Sequence, residues 1–159
     1  MAESSRYEIY MILNQPKPLW LCNIDLSGSD LRGANLQDAS LIGANLNKTN
    51  LTGANLSGAN LGGCHLEGAF LVGADLKHAQ MRGTNLHGAD LREAVLIEAN
   101  MVEANLSETN LNGANLASVD LTNANLTNAN LAGANATDYK LSRAKSLIGA
   151  ILPDGTIHE

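Results

Sequence analysis

Residues 44–58 read Ala-Asn-Leu-Asn-Lys, Thr-Asn-Leu-Thr-Gly, Ala-Asn-Leu-Ser-Gly, three five-residue units each centred on a leucine. The beat runs from Leu26 to Leu141 without a gap. Of its 24 centres 21 are Leu, the exceptions being Met81, Met101 and Ala136, and 16 of the residues two places earlier are Ala. In an extended chain, residues two apart point to the same side, so Ala and Leu share one face and the Asn or Asp between them takes the other. The two remaining positions must turn the chain, because the next Ala has to face inward after an odd interval. Gly occupies the second of them in 12 of the 24 units. It suits the positive φ that the second central residue of a type II turn requires.

A helix does not accommodate this pattern. At roughly 100° per residue a step of five rotates each Leu by about 140°, which scatters the set around the cylinder. Nor does any stretch approach the roughly 20 apolar residues of a membrane span. Strand and corner in alternation stack instead as a β-solenoid, each coil burying its Leu and Ala against its neighbours.

The units from Ile24 to Arg143 resemble the pentapeptide-repeat family, whose signature is A(D/N)LXX, and the C-terminal tail is similar to that of cyanobacterial and plastid members. The resemblance implies an all-β fold, a right-handed quadrilateral β-helix. With four corners per coil the repeat makes about six coils of 20 residues, a rod about 30 Å long at the spacing of neighbouring strands. The expected division is an N-terminal cap over 1–20, the β-helix over 21–146, and a C-terminal cap and tail over 147–159.

Both ends of a solenoid expose strand edges and open core. At the N-terminus Ser5 and Glu8 have capping-box spacing, followed by Tyr7, Tyr10, Met11, Ile12 and Leu13 and a break at Pro16-Lys17-Pro18. This predicts a short helical or irregular plug that, with Trp20, lies over the first coil. Leu147 and Leu152 fall one residue out of frame, and Pro153-Asp154-Gly155 reads as a turn. Ala136 beside Tyr139 reads as a small residue compensating a large one at the next inward position. Ser29, Thr49, Thr84 and Thr109 replace the inward Ala, where their hydroxyls can bond to backbone carbonyls.

The formal net charge is -6, from 16 acidic and 10 basic side chains. Such a surface repels phosphate, so direct nucleic-acid binding is not expected. Cys64 takes an inward position and Cys22 an outward one, which predicts reduced thiols. With no signal-peptide pattern at the N-terminus, the expected location is cytoplasmic.

A 20-residue coil stacks residues 20 apart, so His78 should meet Glu98, and His87 should meet Glu67. Each pair offers two donors, fewer than the three a zinc site usually takes from protein. No metal, cofactor or catalytic group is called for. Glu93, Glu98, Glu103 and Glu108 occupy the last position of successive units, an acidic belt with one carboxylate per corner. Because Glu does not readily adopt the left-handed region, these corners are expected to differ in turn type from the Gly corners. Phe70 and Val95 replace the outward Asn or Asp, and Val72 and Ile97 flank them. Together these four form a candidate interaction patch.

Every strong constraint in the chain is thus met by the core and none by a pocket. This favours a non-catalytic structural or protein-interaction module with an unidentified protein partner and an undetermined oligomeric state. The alternative comes from the resemblance, since some pentapeptide-repeat proteins are acidic DNA mimics that bind and inhibit DNA gyrase. Here Lys77, Arg82 and Arg92 interrupt the acidic surface.

Overall fold

The computed structural model describes residues 6–159, with side chains from Ile9 onward. Its repeat is held by isolated parallel bridges that join each outward residue to the one 20 places on. One such column runs Asn35, Asn55, Asp75, Val95, Asn115, Asn135, and another runs Asp30, Asn50, Phe70, Asp90, Asn110, Asn130. Columns starting at Trp20 and Asp25 complete the set. Four five-residue units therefore make one coil. Each side contributes one bridging residue, so the regular elements among the described residues are two short helices, α1 (Arg6–Leu13) and α2 (Asp138–Leu141).

The hydrogen bonds of a single unit explain its composition. Leu56 and Gly58 N–H donate up to Asp75 and Lys77 C=O at 2.7 and 2.8 Å, Asn60 N–H donates down to Ala39 C=O, and Ala59 N–H closes the corner onto Leu56 C=O at 3.0 Å. One amide in five, that of Ser57, is left over, and the Asn55 side-chain carbonyl accepts it at 3.0 Å. Every Asn or Asp in the middle position from 25 to 130 makes this bond, at 3.0–3.3 Å. The outward Asn is thus an Asx cap that satisfies the backbone donor the ladder cannot reach. Stacked caps also bond to one another, as where Asn105 Nδ2 donates to Asn85 Oδ1 at 3.0 Å.

Inside, the leucines from Leu36 to Leu131 and their Met replacements are at most 1% exposed. Thr49 and Thr84 donate their hydroxyls to Leu26 and Leu61 C=O one coil below, and Thr109 to Leu106 C=O in its own corner. Cys64 donates its thiol to Leu41 C=O in the same manner as Thr49. The Ser29 hydroxyl, in the first coil, has no such acceptor.

The acidic corners differ from expectation. Glu93, Glu98, Glu103 and Glu108 have φ of 58°, 58°, 61° and 60°, in the same left-handed region as Gly53 at 65°. The ladder decides this. Each corner amide, such as Glu98 N–H to Ala117 C=O at 2.9 Å, is tied to the coil above whichever residue carries it. The local cost of roughly 1–2 kcal/mol for a Cβ in this region is imposed by the stack.

The ends correct three further readings. Leu19 and Leu21 are buried, so the coil begins one unit earlier than the Leu26 frame, and Trp20 between them points outward, 78% exposed, rather than lying over the core. Ile9 of α1 is buried, and Ile12 and Leu13 pack against the same cluster. The capping box falls outside the described residues at Ser5, and the side chains of Tyr7 and Glu8 do likewise. Tyr139 is 66% exposed because α2, N-capped by Thr137, replaces the next strand, so Ala136 compensates nothing. The extra residue of that turn changes the register from 20 to 21, giving bridges Asn125 to Ser146 and Asn130 to Ile151. This is the frame slip seen at Leu147 and Leu152. The final residues then fold back through an antiparallel bridge between Ile151 and Ile157.

Candidate functional site

The candidate site follows from the column positions. Phe70, 48% exposed, stands between Asn50 below and Asp90 above, while Val95 stands between Asp75 and Asn115 on the adjacent side, one coil up. Val72 and Ile97, both half-buried, follow them at the corners. Neither Phe70 nor Val95 has an acceptor to offer, so the amides of Val72 and Ile97 lack the cap that Asn or Asp supplies elsewhere.

Charged pairs frame these apolar residues. Asp90 and Arg92 pair at 2.7 Å directly above Phe70 and Val72, and Asp75 and Lys77 pair at 3.2 Å beneath Val95 and Ile97. The Arg92 guanidinium, through its hydrogen bonds, holds the Asp90 carboxyl below the ordinary carboxylate range, while partial burial opposes the shift. An apolar centre with a polar margin has the anatomy of a protein contact. Ile42, 45% exposed at a corner, is a further apolar surface residue that the middle-position pattern did not single out.

The acidic residues occupy successive corners, and two of the four, Glu98 and Glu103, have basic neighbours. Glu98 meets His78 Nδ1 at 3.4 Å, as the 20-residue stacking predicted, and Glu103 pairs with Arg82 at 2.8 Å. His87 turns to Ser107, its Nδ1 lying 3.0 Å from that hydroxyl, rather than to Glu67. The Glu67 amide is instead capped from below by Asn47. Among the described residues no group of three or more His, Cys, Asp or Glu is placed to hold a metal ion. Nor is any helix among them long and apolar enough to cross a membrane.

Two depressions among the described residues lie on the outside of the rod. One of about 500 Å³ is lined by Glu103, Asn105, Asn123, Asn125 and Lys145. Another, of about 660 Å³, runs between α1 and the first coil, with Met11, Ile12, Pro16, Pro18 and Trp20 on its walls. No spacing in the sequence points to the second, because it depends on how α1 docks.

Comparison with curated proteins yields no match. Among solved structures, HetL from the cyanobacterium Nostoc sp. strain PCC 7120, a pentapeptide repeat protein involved in heterocyst differentiation regulation, is 36% identical. The match covers 88% of this chain and 73% of HetL, with a TM-score of 0.41. A pentapeptide repeat protein from the Arabidopsis thaliana thylakoid lumen is 30% identical over 74% of this chain and 68% of its own, TM-score 0.43. Rfr23 from the cyanobacterium Cyanothece 51142 is 28% identical over 68% and 90%, TM-score 0.36. The description "Pentapeptide repeats" matches in 8 copies, over residues 21–58, 54–92, 78–113, 89–128 and 110–145. With its repeat, its 20-residue register and this match in agreement, the chain belongs to the pentapeptide-repeat family.

Proposed function

We propose that this chain is a non-catalytic protein-interaction module, a right-handed quadrilateral β-helix whose side walls present fixed contacts to a protein partner through Phe70, Val72, Val95 and Ile97. The handedness is that of nearly all parallel β connections. One observation carries the reading. At Phe70 and Val95 the backbone forgoes a cap and an apolar side chain takes its place on the wall, framed by ion pairs. The interior, filled by Leu and Ala, leaves no room for a substrate. A reducing compartment such as the cytoplasm suits the free thiols of Cys22 and Cys64.

The DNA-mimic alternative is less well supported. It requires a continuous run of unpaired carboxylates. Here Asp30, Asp75, Asp90 and Glu103 are paired with Arg or Lys.

Immobilised wild-type protein and Phe70→Asp, compared by pull-down and mass spectrometry, test the proposal. Loss of a specific captured protein in the variant, with circular dichroism unchanged, is expected. Equal capture by both refutes the patch.

A further inference from the structure

The stack has an open edge at its N-terminal end. Within the rod a middle residue uses both backbone groups downward: Asn60 N–H donates to Ala39 C=O, and Asn60 C=O accepts from Leu41 N–H. The same orientation in the first coil aims Trp20 N–H and C=O below the stack. Trp20 is joined upward, through Leu21 N–H to Ser40 C=O at 2.7 Å and Ser40 N–H to Leu19 C=O at 2.8 Å. Among the described residues no group meets Trp20 N–H or C=O from beneath. On the adjacent side the equivalent carbonyl, that of Asn35, is occupied by the Lys17 ammonium at 2.5 Å.

The groove of about 660 Å³ opens along this edge, since Leu19, Trp20 and Leu21 form one wall and Met11, Ile12, Pro16 and Pro18 the others. That volume is within the range of ligand pockets. A free donor and acceptor on one residue, beside an apolar trough, specify what fits better than the trough alone would. We propose that the Leu19–Trp20–Leu21 edge is a strand-addition site that takes an extended peptide segment of another protein, parallel to Trp20, with small and Leu-like side chains two residues apart. The rod supplies the template for that register. In every coil an Ala-Asn-Leu segment offers its Ala C=O and Leu N–H to the middle residue of the coil above. Exposed Trp20 and Met11 add apolar contact along the bound segment. This site is at the end of the rod and is independent of the side-wall patch.

The test uses the whole protein labelled with ¹⁵N and an acetylated, amidated peptide, Ala-Asn-Leu-Ser-Gly-Ala-Asn-Leu, which copies residues 54–61. In the free protein the Trp20 amide should exchange with solvent rapidly and the Leu21 amide slowly. Titration should shift the Trp20 amide and indole resonances and slow the exchange of that amide. The same peptide N-methylated at both leucines, which removes the donor to Trp20 C=O, should bind at least about tenfold more weakly. Met11→Glu should also weaken binding, and Phe70→Asp should leave it unchanged. Equal binding by the methylated peptide would show an apolar surface without strand pairing and overturn the proposal. Absence of any shift at millimolar peptide would overturn it too. Protection of the Trp20 amide that grows with protein concentration alone would assign the edge to a second copy instead.

Discussion

If the outward Asn is a backbone cap, its carbonyl oxygen carries that role and its amide nitrogen serves only to link stacked caps, as at Asn105 and Asn85. Asn55 separates the two, because its Oδ1 accepts both from Ser57 N–H at 3.0 Å and from the Ser57 hydroxyl at 2.7 Å. Asn55→Ala removes that acceptor from a half-buried position and leaves the Ser57 amide to water. A neutral hydrogen bond contributes about 0.5–1.5 kcal/mol, and helix N-caps, the nearest analogue, about 0.5–2 kcal/mol. The expected loss is therefore about 1 kcal/mol, or about 2–4 °C in Tm for a chain of this size. Asn55→Asp keeps the acceptor, in the manner of Asp75 and Asp90, and, with the like charge of Asp75 directly above it screened by about 1 M salt, should melt close to wild type. Thermal unfolding followed by circular dichroism at neutral pH reads both. The cap explanation is refuted if the Ala variant melts with wild type, or if Asp is as damaging as Ala.

At the corners, Gly53→Ala should cost up to about 1 kcal/mol in a urea titration although its Cβ meets nothing within 4 Å, because the penalty is that of the left-handed region. Conversely, Glu108→Gly should be neutral or stabilising by up to about 1 kcal/mol, relief of the same strain being partly offset by the greater freedom of Gly in the unfolded chain. A thiol reagent at pH 8 should titrate exposed Cys22 in the native protein and reach Cys64 only on unfolding, since burial raises the Cys64 thiol to about 11. Two fast thiols in the native protein would contradict a sealed core. In acid, Asp90, held low by Arg92, and Asp120, held low by the Thr122 hydroxyl and amide, have folded-state values below their unfolded ones. Their stabilisation is present above about pH 4 and is lost as pH falls through the lowered values. Tm should decline there, and more shallowly for Asp90→Asn.

The interior was legible in the sequence because its constraint is periodic. Leu at every fifth position and Ala two before it leave one arrangement that buries both. The identity of the outward Asn was legible as a pattern but not as a cause. Its role appears only once the ladder shows that the amide after each Leu has no backbone acceptor. The Glu corners were misread for a related reason: the intrinsic preference of Glu argued against positive φ, but the corner amide of Glu98 is bound to Ala117 in the next coil and overrides it. Trp20 and Tyr139 were misplaced where the period ends, since neither the extra unit at Leu19 nor the turn of α2 is periodic. The groove beside Trp20 depends on the docking of α1, which no local spacing encodes. Phe70 and Val95 stood out in the sequence as breaks in the outward column, and the structure adds the ion pairs that border them.

The arrangement of four units per coil is tested most directly by backbone NOEs along one side of the rod. Contacts linking Asn55 with Asp75 and Asp75 with Val95, 20 residues apart, are the predicted result. Links at 15 or 25 residues, or a helical series of contacts three residues apart through the repeat, would contradict it.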